Sequence, residues 1–449
     1  MRNHALVNSS LGGDPPNGGA PLPLCWIILA GALSEALYII ASRVENLLES
    51  PFEYLTIHFA LVTIYVTSVY LLFKPGYAKK ENRSALWVVL GFAVIFRLTL
   101  LNVTPTLSGD IYRYVWDGKV ILNGISPYRY PPGSASLAGL RDRFYPLINH
   151  KTIGSPYSPL TELIFASAAG FAPPVVVMKA PFVIFDLLTA LVLIQLLKIM
   201  KRPSIAVIAY AWSPLVVFEV SGSGHADSLA IFFLILTITL LSMKKRISAS
   251  LAMAMALLSK YFAVILAPSV IRRFGVLEWA IVFTVVTLFY APLLPTIEDH
   301  FLAVSEVASS WRYNDSVYGA LLWATGSGGI AKAICVGLFL TIYAITCFLK
   351  TPAVFTVYLL TGAMLLLSTT VHPWYLLWMA PFLCIYGNSG WLWLTIAAPL
   401  SYLFMVEPQM ELYGLIRTFE YGPFVLLVMI RLVTKKRARQ ETGRGSASL

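Results

Sequence analysis

The sequence predicts an all-α protein that crosses the membrane many times, and composition, run length and apolar patterning all support this. Of 449 residues, 58% are hydrophobic and 12% are charged, whereas a soluble domain carries about 25% charged residues. Apolar runs of about 17 to 25 residues, enough to cross a hydrocarbon core, recur from Leu24 almost to the C-terminus. Residues 229–243 are apolar on every face, which excludes the alternation of a membrane barrel and leaves helices.

The helices are predicted in order from these runs and from the polar turns between them. The predicted spans are residues 24–41, 54–73, 85–101, 175–199, 204–220, 229–243, 276–294, 330–349, 353–370, 374–386, 391–406 and 423–433. Residues 159–172 are short and end before two prolines, which favours a re-entrant piece. Residues 248–271 are interrupted by Lys260 and Pro268, which predicts two short helices with Lys260 at an outer turn. The chain therefore makes about 12 to 14 crossings.

The net charge of +11 comes from short clusters beside apolar runs, and this placement predicts orientation in a membrane and no nucleic-acid partner. The clusters are Lys74, Lys79, Lys80 and Arg83; Lys201 and Arg202; Lys244, Lys245 and Arg246; and Lys435, Lys436, Arg437 and Arg439. Basic residues beside spans stay on the cytoplasmic side, so both termini are predicted to be cytoplasmic. Residues 1–23 form a flexible tail, residues 24–434 one polytopic transmembrane domain, and residues 435–449 a basic tail.

Four cysteines are spread along the chain without the spacing of a zinc or redox motif. They are Cys25, Cys335, Cys347 and Cys384. Each lies in or beside an apolar run, and we expect all four to be buried as small hydrophobic residues.

Residues 102–159 form the longest polar segment and follow the third span. A connection of this length is usually functional or disordered. Aromatic residues favour short interfacial helices here, and they are Tyr112, Tyr114, Trp116, Tyr128, Tyr130, Phe144, Tyr145 and Tyr157. In the predicted orientation this loop, residues 221–228, 296–325 and 407–421, and the turn at His372 all lie outside the cell.

Asp110 is the first candidate for chemistry, because a carboxylate at the outer end of a span can deprotonate an incoming hydroxyl. In a helix that begins there, Arg113 and Asp117 lie on the face of Asp110. Arg113 then orients Asp110 or binds a phosphate with its planar donor fork. The alternative is that Asp110 only caps a helix after Gly109.

For other candidate residues, too, a functional interpretation stands beside a structural one. Lys260 interrupts an apolar stretch, where a charge costs about 2.5 to 3.5 kcal/mol at the bilayer centre, so it either snorkels to the surface or pairs with an anion such as a phosphate. His225 and Asp227 bind an acceptor or support the base, or else Asp227 caps a helix. His372 is a candidate contact to a sugar or phosphate. Buried ionisable groups elsewhere are functional candidates by default, namely Arg97, Glu162, Glu219, Lys179 and Asp186, of which the last two form a possible structural pair.

The order of several motifs resembles a known family. Residues 110–132 (DIYRYVWDGKVILNGISPYRYPP), 145–150 (YPLINH) and 157–159 (YSP) resemble the first outer loop of the GT-C superfamily of membrane glycosyltransferases. They are most similar to bacterial and archaeal mannosyltransferase-like members that use a polyprenyl-phosphate sugar. Later pieces agree in order, namely residues 224–228 (GHADS), 258–261 (LSKY), 311–314 (WRYN) and 372–375 (HPWY).

The resemblance implies an inverting transferase of the prokaryotic plasma membrane that moves a hexose, expected to be mannose, from a polyprenyl-phosphate donor to an acceptor hydroxyl outside the cell. Asp110 occupies the position of the family's acidic loop residue, as catalytic base. The implied substrate-binding residues are Arg113, Asp117, Tyr128, Arg129, His225, Asp227, Lys260, Asn314, His372 and Tyr375. Many members have two adjacent acidic residues, whereas Gly109 and Ile111 flank Asp110 here, so no cofactor is predicted and a divalent metal is left open.

The expected partners are the lipid-linked donor, a glycan, lipid or protein acceptor, and membrane lipids. Two alternatives remain at this point. A transporter or flippase of lipid-linked sugars would show repeated halves and broken spans with charges near the midplane. A ligase that handles a whole oligosaccharide would use the same lipid carrier.

Overall fold

The computed structural model describes residues 24–73, 83–406 and 413–445, with side chains described as far as residue 434. Several predictions fall outside these residues. They concern the N-terminal tail 1–23, Lys74, Lys79 and Lys80 of the first basic cluster, residues 407–412 of the last outer loop, and the side chains of the basic C-terminal tail.

Over the described residues the chain is α-helical, and its only extended pairing there is an isolated parallel bridge between Tyr313 and Thr370. The helices of seven or more residues are α1 (Leu24–Ala41), α2 (Pro51–Phe73), α3 (Arg83–Leu101), α4 (Asp110–Leu122), α5 (Pro159–Ala169), α6 (Pro174–Ile199), α7 (Asp227–Ser242), α8 (Arg246–Ser259), α9 (Val276–Tyr290), α10 (Ile297–Ser310), α11 (Val317–Thr325), α12 (Gly328–Phe348), α13 (Ala353–Leu367), α14 (Ala380–Tyr386), α15 (Ser389–Ala397) and α16 (Tyr413–Gly445).

Shorter pieces connect these helices. They include the 3₁₀ turns Ala135–Leu140, Tyr145–Leu147, Ser204–Val207, Tyr261–Leu266, Ala291–Thr296, Pro373–Trp378 and Ala398–Tyr402, the α-turns Ile208–Ala211, Pro214–Val217, Ala267–Val270 and Leu403–Val406, and the π-turn Phe218–Gly222.

The architecture is that of a polytopic membrane protein, as the composition predicts. Among the described residues, seven helical stretches are long and apolar enough to cross a membrane, or eight if the pair Ser204–Ala211 and Pro214–Gly222, bent by 59°, counts as one span. Six more apolar helices have 10 to 17 residues, fewer than the roughly 20 that a full crossing needs. The all-α fold is confirmed, while 12 to 14 crossings would require four to six of these shorter helices to cross in addition to the eight spans.

The start of the last helix differs from the sequence prediction, and the predicted break at Lys260 is confirmed. The last helix, α16, begins at Tyr413 and passes through Pro423, so residues 413–421 are helical where a loop was predicted. Proline removes the partner of the carbonyl four residues before it, and the indole Nε1 of Trp393 donates to that Phe419 carbonyl at 3.2 Å, which lets the helix continue. At Lys260 the backbone is extended (φ −161°, ψ 134°), so the predicted break there is confirmed.

A buried ion pair joins α3 to α6, and a buried lysine on α6 binds backbone carbonyls. Arg97 on α3 lies 2.5 Å from Asp186 on α6. Lys179 instead donates to backbone carbonyls, among them those of Leu100 at 3.0 Å and Val103 at 2.8 Å. The pairing of Lys179 with Asp186 was therefore wrong, because residues two turns apart on one helix are about 10 Å apart along its axis.

The cysteine prediction holds only in part. Cys335 and Cys384 are buried, whereas Cys25 is exposed and Cys347 is partly exposed. A cysteine thiol behaves as a small hydrophobe. Cys25 and Cys347 can therefore face lipid and need not be buried inside the protein.

The helix that carries Asp110 packs closely on its neighbour. At Gly118 of α4, an added Cβ would overlap the carbonyl group of Phe165 on α5. Tyr114, one turn earlier, stacks on the Phe165 ring at 4.4 Å between ring centroids. These contacts fix α4 in position, so that its N-terminal end faces the interior of the protein.

Candidate active site

A cavity of about 570 Å³ lies where most of the predicted outer segments meet. Its walls come from the N-terminal end of α4, the loop around Asn149, the starts of α7 and of the turn at Lys260, the second half of α10, and the segment from Ser368 to Tyr375. The candidates that line it are Asp110, Arg113, Asp227, Lys260, His372 and Tyr375. The structure thus brings together residues separated by more than 260 positions in the chain.

Asp110 is the first residue of α4, and its side chain is 22% exposed. The carboxylate Oδ1 accepts a hydrogen bond from Asn149 Nδ2 at 2.8 Å. Gly109 is the cap of the helix, and no side-chain cap bond is formed. Asp110 therefore lies inside the helix, and its carboxylate is held by the loop while remaining accessible to the cavity.

Arg113 is held in place by Asp117 one turn later on α4. Its Nε donates to both carboxylate oxygens of Asp117, at 2.8 and 2.9 Å. Burial raises the pKa of Asp117, and the guanidinium charge of Arg113 opposes this rise. Arg113 Nη2 is buried and has no hydrogen-bond partner in the described part of the chain. Since Arg113 lines the cavity, it is a buried cation with an unused donor at the cavity wall.

Lys260 is a second cation at the cavity, but it is already paired. Its Nζ lies 2.6 Å from Asp227 Oδ1, which also accepts from Trp378 Nε1 at 2.6 Å. The Lys260 side chain stays 38% exposed, and its ammonium lies 5.3 Å from the ring centroid of Tyr375. Of the two alternatives, pairing with an anion applies, and the anion here is the Asp227 carboxylate.

Four rings form a continuous stack beside Asp110. The centroid of His225 lies 4.2 Å from that of Trp374, His372 stacks on the other face of Trp374 at 4.3 Å, and Tyr313 stacks on His372 at 4.3 Å. Burial, followed by the charges of His225, Lys260 and His150, lowers the pKa of His372 to about 3. His372 is therefore a neutral ring at physiological pH.

The first part of the chain, which includes Asp110 and His225, shows the family. Residues 25–274 match the family model described as "MptA_B_family: Alpha-(1->6)-mannopyranosyltransferase, N-terminal domain", which is more than half of the chain. The chain belongs to the MptA_B family. No curated protein matches it. Membership supports a glycosyltransferase that transfers mannose, and it is consistent with the GT-C resemblance.

Some residues predicted to bind substrate lie away from the cavity of this MptA_B family chain. Asn314 is buried and donates to Glu420 Oε2 at 2.7 Å. Tyr128 packs against His300, with 4.4 Å between ring centroids, and Arg129 is exposed. Asp117 lies behind Arg113, which it orients. These four stay predictions as ligand contacts, and in this structure none of them lines the cavity.

Other features of the MptA_B site escaped the sequence prediction. Asn149 lies within the motif YPLINH, but nothing in the sequence indicates its hydrogen bond to Asp110, 39 positions away. Trp374 lies within the motif HPWY, but nothing in the sequence indicates that it stacks between two histidines. Val304, Val307 and Ala308 of α10 give the cavity an apolar wall.

The sequence left a divalent metal open, and the described residues offer no ligand set for one. Within the described ranges, no three His, Cys, Asp or Glu side chains lie close enough together to hold an ion. The mechanism proposed below uses only side chains of the protein.

Proposed function

We propose that this protein is an inverting mannosyltransferase that uses a polyprenyl-phosphate mannose donor and works on the extracytoplasmic face of the membrane. The observation that carries the proposal is Asp110, a positioned carboxylate, in one cavity with Arg113, which has an unused donor. The family's description names an α-(1→6) linkage, and so the proposed acceptor group is the primary 6-hydroxyl of a hexose.

Asp110 serves as general base in this reaction. It accepts the proton of the acceptor hydroxyl while that oxygen forms a bond to C1 of mannose. On the opposite face of the sugar, the bond from C1 to the phosphate oxygen breaks, and the phosphate keeps the electron pair. Attack opposite the leaving group inverts C1, which gives an α-mannoside from a β-linked donor.

Two cations are placed to stabilise the leaving phosphate. Arg113 Nη2 is already desolvated, so a phosphate oxygen satisfies a donor that would otherwise stay unpaired. Fixed donors of this kind act most strongly where charge develops in the transition state. Lys260 contributes less, because the Asp227 carboxylate already neutralises much of its charge.

The donor is proposed to be lipid-linked because one wall of the cavity is apolar. Val304, Val307 and Ala308 suit an isoprenoid chain better than a nucleotide. We expect purified protein in lipid nanodiscs to transfer label from polyprenyl-phosphate [³H]mannose to a mannose-terminated acceptor and to leave GDP-[³H]mannose unused. Polyprenyl-phosphate glucose tests the choice of sugar. Equal transfer from the nucleotide sugar would contradict the lipid donor.

The proposed orientation is supported by the hairpin of α7 and α8. Asp227 and Lys260 lie at its cavity end, and the basic cluster at Lys244 lies at its other end, about 24 Å away for a 16-residue helix. In a variant without native cysteines, we expect Ser136→Cys on the loop to react with a membrane-impermeant thiol reagent in intact cells, and Lys244→Cys to react only after lysis. The reverse pattern would place the cavity on the cytoplasmic side.

A further inference from the structure

We propose that Glu219 and His225 form a positioning pair behind Asp110, in which His225 is a buried imidazolium between the two carboxylates. The inference rests on the proposed function, since it concerns how the base of that reaction is kept ready. Neither Glu219 nor the charge state of His225 follows from the sequence motifs.

The geometry places both nitrogens of one ring against acids. His225 Nδ1 lies 3.7 Å from Asp110 Oδ2, and its Nε2 lies 3.4 Å from Glu219 Oε2. Both nitrogens are buried, and neither has a closer partner among the described residues. A neutral imidazole has one donor and one acceptor nitrogen, whereas the protonated ring donates from both. The protonated ring matches an ionised carboxylate on each side, and such contacts commonly shorten in a substrate complex.

Neighbouring side chains hold this ring and favour its charge. Trp374 covers one face of His225 with nearly parallel planes, 17° apart, and an indole face attracts a cation. On the other face of Trp374, His372 is neutral, as its lowered pKa requires. Glu219 is fixed from behind by Tyr402, whose hydroxyl donates to Oε1 at 2.7 Å.

Ionisable groups on several further elements lie around His225. Asp110 and Tyr114 come from α4, Lys179 from α6, Glu219 from the π-turn, Asp227 from α7, Lys260 from the turn after α8, Tyr402 from the last 3₁₀ turn, and His372 and Tyr375 from the HPWY segment. The Lys179 ammonium is bound by carbonyls, among them that of Gly222 at 3.1 Å, and Lys260 is neutralised by Asp227. Asp110 and Glu219 are therefore the charges nearest to the ring.

This arrangement has a direct consequence for the base. An imidazolium beside Asp110 keeps the carboxylate ionised at rest and fixes Oδ2, while Asn149 fixes Oδ1. Glu219 balances the imidazolium charge, so that the buried group does not stay unpaired. Glu219 touches no substrate in this scheme and acts only through His225.

The test is the pH dependence of mannosyl transfer by Glu219→Gln in the full-length protein. Removing the Glu219 charge destabilises the imidazolium. We expect the alkaline limb of the rate profile to move to lower pH by about one pH unit, a tenfold change in the underlying equilibrium. The acid limb should not move to higher pH, because His225 stays protonated in that range. Tyr402→Phe is the matched control, because it removes the other hydrogen bond of Glu219 and keeps the charge. Its limbs should stay in place.

A uniform loss of rate in Glu219→Gln at every pH, with an unmoved alkaline limb, would overturn the pair and leave the proposed function intact. Wild-type protein without transfer from any mannosyl donor would overturn the proposed function itself. His225→Asn provides a second measurement if the thermal midpoint of Glu219→Gln is too low for the assay. It should lose the alkaline limb altogether and shift the acid limb upward, and an unchanged profile would again contradict the pair.

Discussion

Replacing Asp110 with Asn is expected to lower the rate of mannosyl transfer by about a hundredfold to ten-thousandfold, the usual contribution of a general base. The amide keeps the size of the side chain and, through its oxygen, the hydrogen bond from Asn149. It cannot accept the acceptor's proton at neutral pH. Activity should therefore fall while the fold is retained, and the measurement is transfer rate and thermal midpoint on the same purified variant.

The same experiment separates catalysis from helix capping. A cap would tolerate the exchange, because Asn caps a helix about as well as Asp. An Asp110→Asn protein with wild-type activity would remove Asp110 as the base. Asp117, the next acidic residue of the loop, would then need to leave its buried contact with Arg113 before it could act.

Replacing Arg113 with Met should produce the second large effect. Loss of a preorganised charge at the developing phosphate costs about a hundredfold to a thousandfold in rate. The same change leaves Asp117 buried without its partner, and breaking a buried pair costs about 3 to 5 kcal/mol. We therefore expect a lower rate together with a lower thermal midpoint.

A double variant distinguishes these two losses. Arg113→Met with Asp117→Asn removes both charges, and replacing a whole buried pair is often close to neutral for stability. Its thermal midpoint should recover while its transfer rate stays low. Recovery of both would mean that Arg113 acts only through the fold. Lys260→Met should weaken apparent donor affinity by a smaller factor, since Asp227 already neutralises Lys260.

The helices were predictable because membrane helices depend on local composition. The bounds of α1 coincide with the predicted span, and the extended backbone at Lys260 follows from one charge in an apolar run. The predictions that failed concern contacts between residues far apart in the chain. The loop predicted before residue 423 is helical in part because Trp393 supplies a hydrogen bond from another helix.

The site was predictable where its residues belong to one sequence motif. It was not predictable where residues far apart in the chain come into contact. Asp110 and Arg113 share one turn of helix, so their proximity could be predicted from the sequence. The bond from Trp378 to Asp227 joins residues 151 positions apart, and no periodicity indicates it. Asn314 belongs to the motif WRYN, which resembles the family, but its side-chain amide donates a hydrogen bond to Glu420.

The ring stack ties the completion of the cavity to the order of synthesis. His225 lies inside the stretch that matches the family model, whereas Tyr313, His372 and Trp374 follow it in the chain. A nascent chain that has emerged from the ribosome as far as residue 274 carries Asp110, Arg113 and Lys260 but lacks the wall against which His225 is stacked. The ring stack beside Asp110 is therefore completed only when the HPWY segment has joined the helices made before it.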